Sequence, residues 1–261
     1  MTIWLLLPFS WLLFVQIDRI TWTPHEKPQT DRSGSTRTVL ITLSILISLT
    51  VLPIVTNRSL QPLGAIDRFL ASTTTSFAVA LGLLLFHLPR ESQSFRHLGF
   101  RLTSDRNLLL AVLSYLLFLP TYFVSVRTNV LVWQYSQKIF HPPDPVRFFL
   151  DEAQQGQWEK AAGIILLVLL LGPLIEEIIF RGFLFTRLRA YGSQRTALLA
   201  SALIFSISHL DPSNLLPLTA LGLLLGWTYQ KTGSILAPIW IHILHNAFTF
   251  GLSLAPLFDS G

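Results

Sequence analysis

Eight apolar stretches, divided by polar connections, constrain this chain more than any other feature: Ile3–Ile17, Val39–Thr56, Phe69–Leu88, Leu108–Val126, Ala161–Leu188, Thr196–Leu210, Leu215–Gln230 and Ser234–Leu254. Each is closed by charges, proline or glycine. A helix that crosses a bilayer needs about 20 mostly apolar residues. Composition points the same way: 13% of the 261 residues are charged and 51% are hydrophobic, where a soluble domain has about a quarter charged. That leaves too little polar surface to cover a water-soluble fold, and it excludes disorder, collagen-like repeats and coiled coils. The expected fold is all-α, a polytopic integral membrane protein with about eight transmembrane helices forming a single membrane domain over residues 1–261. Ile3–Ile17 is short for a span. It lacks a basic leader and a small-residue cleavage site, and is expected as a retained helix rather than a signal peptide.

The chain has no cysteine, which excludes disulfides, thiolate metal sites and a cysteine nucleophile. Its formal charge of +5 could suggest nucleic acid, but no basic run is interleaved with aromatics, so no nucleic-acid partner is expected. The basic residues instead sort the loops. Arg19, Lys27, Arg32 and Arg37 lie between the first two stretches, Arg90, Arg96, Arg101 and Arg106 between the third and fourth, and Arg181, Arg187, Arg189 and Arg195 around the fifth-to-sixth connection. The positive-inside rule then places these connections in the cytoplasm and both termini outside. The connection from Arg127 to Lys160 mixes aromatics with charges, a composition suited to a helix lying in the membrane interface.

Ionisable groups inside apolar stretches are costly, about 2.5–3.5 kcal/mol each on insertion scales. Three stretches nevertheless carry them. The fifth contains Glu176, Glu177 and Arg181, the sixth His209, and the eighth His242, His245 and Asn246. At about 1.5 Å of rise per residue, Glu176 lies about 18 Å from the loop near Leu188, and His209 about 20 Å from Thr196. His242 and Asn246 lie about 12 and 18 Å from Ser234. All three reference points are cytoplasmic in the topology above, so three helices bring polar groups to a similar depth from one face. That agreement predicts one buried site on residues 161–254.

Residues four apart share a helix face, which joins His242 to Asn246 and Glu177 to Arg181. Glu176 is turned about 100° from Glu177. The expected division has Glu177 locking the helix through Arg181 while Glu176 faces the histidines, the lesser alternative being that Glu176 makes a helix–helix hydrogen bond. A carboxylate in a water-poor cavity can take a proton from a bound water. Glu176 with His209 suits that task, and His242 with Asn246 supplies donors for the oxyanion of a tetrahedral intermediate. Ser206, Ser208 and Ser234 lack the surroundings of a nucleophile and read as packing. No cofactor is expected, but zinc is possible, with Glu176, His209 and His242 as its ligands; the His-Glu-x-x-His helix pattern is absent. His245 reads as packing, and His25, His87, His97 and His141 as solvated loop residues.

At these residues the sequence resembles the CPBP intramembrane proteases, also called Abi or type II CAAX prenyl endopeptidases. That family carries Glu-Glu-x-x-x-Arg, Phe-x-x-x-His and His-x-x-x-Asn/Asp on membrane helices. The blocks stand here as Glu176-Glu177-Ile-Ile-Phe-Arg181, Phe205-Ser-Ile-Ser-His209 and His242-Ile-Leu-His-Asn246, within Leu171 to Phe250. The resemblance implies an eight-helix core with a conical cavity open to the cytoplasmic leaflet. It implies peptide-bond hydrolysis in which Glu176 and His209 activate water and His242 and Asn246 hold the oxyanion, without metal, with Glu177, Arg181 and Phe205 in support. The implied partners are a membrane-associated, possibly prenylated protein or peptide and the lipid bilayer. The expected location is a bacterial inner membrane. Two other classes remain open on the residues alone: a non-catalytic scaffold or bacteriocin-immunity factor, and a proton-coupled transporter, which the lack of repeated halves disfavours.

Overall fold

The structure, a computed structural model, describes residues 16–17, 36–61, 63–87, 98–133 and 145–254. The first expected span lies outside these residues apart from Gln16 and Ile17, as do His25, His97 and His141. Every described regular element is helical. In chain order the helices are α1 (Thr36–Ser59), α2 (Ala65–His87), α3 (Asp105–Trp133) and α4 (Pro145–Gln154), then α5 (Trp158–Tyr191), α6 (Gln194–Ser208), α7 (Leu215–Thr232) and α8 (Leu236–Leu254). Seven of them fall on the second to eighth apolar stretches of the sequence. The eighth, α4, sits inside the aromatic-rich 127–160 connection.

The protein is an all-α membrane protein. Helices α1, α2, α3 and α5 are long and apolar enough to cross a bilayer. Helix α6 has 15 residues, a rise of about 22 Å against a hydrocarbon core of about 30 Å. Helices α7 and α8 have 18 and 19 residues, and the His and Asn of the third motif interrupt the apolar run of α8. Hydroxyls within the spans are returned to their own helices. Ser48 donates to the Ile45 carbonyl, Thr50 to Leu46, Ser76 to Ser72 and Ser114 to Leu110, at 2.7–2.8 Å. In a solvent without hydrogen-bonding partners this is how a polar group is satisfied. The outer faces of α1 and α3 expose Leu43, Ile47, Val51, Leu109, Leu113 and Leu116, side chains suited to acyl chains.

The described residues divide into two compact units. One holds those of Gln93–His141 and Phe180–Ile241, the other those of Gly34–Ser92, Pro142–Ile179 and His242–Gly261. The division therefore falls within α5 and within α8. In the first unit α3, α7 and the start of α8 share a core of Ala111, Tyr115, Phe118, Leu221, Leu224, Leu225 and Ile241. Helix α6 begins at Ser193, whose side chain caps the Thr196 N–H at 3.1 Å. It then packs closely on α7, because two glycines one turn apart face it. A Cβ on Gly222 would stand 3.0 Å from the Ala202 Cα, and one on Gly226 would stand 2.6 Å from Leu198 Cδ1. Such small-residue spacing lets helix backbones approach within a membrane. Helix α7 ends at Gly233 in the left-handed conformation (φ 63°), where a side chain would be strained.

In the second unit α1 and α2 pair as a hairpin. Helix α4 packs Phe148 on Phe69 of α2 and Phe149 on Phe250 of α8, with ring centroids 5.4 and 5.5 Å apart. Its Arg147 and Asp151 stay on the exposed side. That two-faced character agrees with the amphipathic segment expected between Arg127 and Lys160.

Candidate active site

Helix α5 carries the first motif, and its backbone departs from the α-helix on both sides of it. Residues Leu166–Leu171 and Ile178–Phe185 form π turns, and the short α segment Gly172–Glu177 lies between them. Pro173 gives a physical reason for the first departure. A proline ring clashes with the carbonyl four residues back and donates no N–H, and a wider turn relieves the clash. The Gly172 N–H accordingly reaches the Leu167 carbonyl, five residues back. In that ladder the Val168 carbonyl would take its bond from residue 173, which has no hydrogen to give. Its donor comes from another helix: the Asn246 amide, through Nδ2 at 3.0 Å.

Four sequence-identified residues meet in this second unit. Glu177 is fully buried and its Oε1 lies 2.9 Å from His242 Nδ1. The other ring nitrogen of His242, Nε2, lies 3.8 Å from Glu176 Oε2. That gap is too long for a direct hydrogen bond. The Glu176 side chain retains 18% of its exposure, whereas Glu177 retains none. One imidazole therefore stands between two carboxylates, the deep one gripping it and the shallower one reachable. When Nδ1 carries the proton given to Glu177, the neutral ring presents a lone pair at Nε2. To donate there as well, it must carry both protons. Asn246, one turn beyond His242, spends one amide hydrogen on Val168 and keeps the second. His245 is buried beside them.

The other three candidates lie in the first unit. Arg181 is fully buried, donates from Nη2 to the Gly222 carbonyl at 3.1 Å, and lies over the Phe205 ring with Cζ 4.6 Å from its centroid. Phe205 is itself buried, edge-on to Phe180, and carries the His209 ring on its other contact at 4.7 Å. His209 is exposed and closes α6. Its Nδ1 lies 2.7 Å from the Phe205 carbonyl. A carbonyl only accepts, so Nδ1 carries the hydrogen and the proton-accepting position of the neutral ring is Nε2. Leu210 then takes a positive φ of 51° to turn the chain out of the helix.

Sequence reasoning missed the residues that hold these side chains in place. Buried Asn129 of α3 grips the loop that follows His209: its Nδ2 donates to the Pro212 and Ser213 carbonyls at 3.2 and 2.6 Å, and its Oδ1 accepts from the Leu216 N–H at 3.0 Å. A single amide near the end of an apolar stretch was the available signal. The Glu177–His242 bond joins residues 65 apart in sequence and has no local signature. Of the three zinc ligands that the sequence offers, Glu176 and His242 lie together in the second unit, and His209 belongs to the first.

Residues 158–248, about a third of the chain and including every motif residue above, match the family model described as "Type II CAAX prenyl endopeptidase Rce1-like". This segment is similar to that family, and the similarity covers the motif-bearing third of the chain. Over 94 residues the chain is also 36% identical to the protein named "Putative membrane peptidase YdiL" of Bacillus subtilis (strain 168). That alignment takes in 36% of this chain and 38% of the relative's length. No solved structure matches the chain significantly. The CPBP match begins at the first residue of α5, so α1 to α4 fall before it.

Proposed function

We propose that this protein is an intramembrane endopeptidase that cleaves a peptide bond near the C-terminus of a membrane-associated, possibly prenylated protein or peptide. The observation that carries this reading is the Glu177–His242–Glu176 array, at 2.9 and 3.8 Å, on two helices of the matched segment. Burying a carboxylate and an imidazole in a membrane helix pair, with a second carboxylate partly exposed beside them, is expensive, and such groups mark functional sites.

Glu176 is the general base and His209 is its partner in holding the attacking water. Glu176 takes a proton from that water as the oxygen bonds to the scissile carbonyl carbon. The resulting oxyanion is held by His242, through Nε2, and by the second amide hydrogen of Asn246. Collapse of the intermediate breaks the C–N bond, and the proton taken by Glu176 passes to the leaving amine. Glu177 fixes the His242 ring throughout. No step requires a metal. The site opens to the cytoplasmic side of a bacterial inner membrane, as the distribution of arginine in the connections favours.

Purified protein in detergent is tested against a quenched farnesylated CAAX peptide and an unprenylated peptide of the same sequence. Cleavage by wild type, retained with a chelator and reduced on the order of 10³-fold or more in Glu176→Ala, is the expected result. Loss with chelator and return with zinc would move the chemistry to a metal. Cleavage of neither peptide, with cellular function intact in Glu176→Ala, would leave the scaffold reading.

A further inference from the structure

We propose that Asn246 is a positioning residue whose amide replaces the backbone donor that Pro173 lacks, and so sets the rotation of the Glu176–Glu177 turn against His242. The turn preceding Pro173 is widened, with the Gly172 N–H on the Leu167 carbonyl. The next carbonyl, that of Val168, would be served by position 173, and the Asn246 Nδ2 stands on it at 3.0 Å. In a bilayer an unserved carbonyl has no water to turn to, and breaks at proline persist where a neighbouring helix supplies the missing bond. The same α8 also presents His242 to Glu176 and Glu177. His242 and Asn246 lie one turn apart on one face, so α8 grips α5 at two points, one before the carboxylates and one on them. Take away the Asn246 grip and the carboxylate turn is free to rotate about the widened backbone.

The structural part of this inference stands without any activity; its kinetic part rests on the peptidase reading. The test is a cycle of Asn246→Ala, Pro173→Ala and the double variant, in the full chain in detergent, followed by thermal midpoint and by peptide cleavage. Asn246→Ala is expected to lower the midpoint by about 2–8 °C and to lower kcat with KM nearly unchanged. Pro173→Ala restores an N–H at position 173. In the double variant most of the midpoint should return, and kcat should recover about tenfold relative to Asn246→Ala, the remaining deficit being the lost oxyanion contact. A purely structural defect would not give back kcat in this way, and a purely oxyanion role would give back nothing. Additive losses in the midpoint, or no midpoint change in Asn246→Ala, would overturn the proposal. If Asn246→Ala fails to accumulate, accumulation of the double variant supports the inference. Failure of the double variant alongside a well-folded Pro173→Ala overturns it. Because the midpoint arm needs no substrate, absence of cleavage in wild type would sink the peptidase reading and leave this test decisive.

Discussion

Helices α3 and α5 share a description and behave differently. Both are long and apolar enough to cross a membrane, and each has a proline near its middle, Pro120 and Pro173. Helix α3 runs as α-helix from Asp105 to Trp133. Helix α5 gives up the α ladder twice, on either side of two glutamates. Proline alone is therefore not what breaks a span. What α5 has in addition is charge within the apolar stretch and a side chain from another helix that takes a carbonyl its own backbone cannot serve. π turns recur at functional sites, and the first of the two here comes with an identifiable donor.

The sharpest way to break the comparison is to remove polarity from each helix in turn. Glu176→Gln on α5 should reduce peptide cleavage on the order of 10³-fold. Tyr115→Phe on α3, which removes a buried hydroxyl from a core position, should leave cleavage within about twofold of wild type, since α3 serves packing. Comparable losses in the two would show that α3 also enters the chemistry. A middle-sized effect belongs to Asn129→Ala, also on α3. It strands the Leu216 N–H and two loop carbonyls, a destabilisation of about 1–3 kcal/mol, read as a lowered thermal midpoint with kcat reduced less than tenfold. A large kcat loss at an unchanged midpoint would make Asn129 part of the reaction rather than a loop anchor. The smallest effect is expected at Pro120→Ala, which restores an N–H to a helix that is already regular. It should leave cleavage unchanged and move the midpoint by no more than a few degrees. A drop in cleavage there would erase the distinction between the two prolines.

Much of this molecule is legible in its sequence because the bilayer imposes simple rules. A stretch such as Ala161–Leu188 has to become a helix, since no other open structure satisfies its backbone in hydrocarbon, and it is found within α5, Trp158–Tyr191. Glu176, Glu177 and His242 were conspicuous for the same reason: an ionisable side chain in such a stretch has to have a use. The pairing among them was not legible. Helical spacing gives the neighbours of Glu177 along α5 but carries no information on the ring 65 residues away that it holds. Nor does the sequence distinguish Pro173 from Pro120, because the difference lies in an amide on a helix that folds against one of them. Asn129 and the Gly222–Gly226 pair went unread for a related reason. Their role comes from what approaches them, and approach is a property of the fold.

Gly222 shows how much can depend on a group that is not there. Its bare α-carbon admits Ala202 to 3.0 Å of where a methyl would sit, and its carbonyl receives the Arg181 guanidinium on which Phe205 rests. Adding one carbon would act as a shim between α6 and α7. It would push back the ring that carries His209 while tugging at the arginine beneath it. The spacing of that stack is thus metered by an empty place in the chain, a gauge one atom thick.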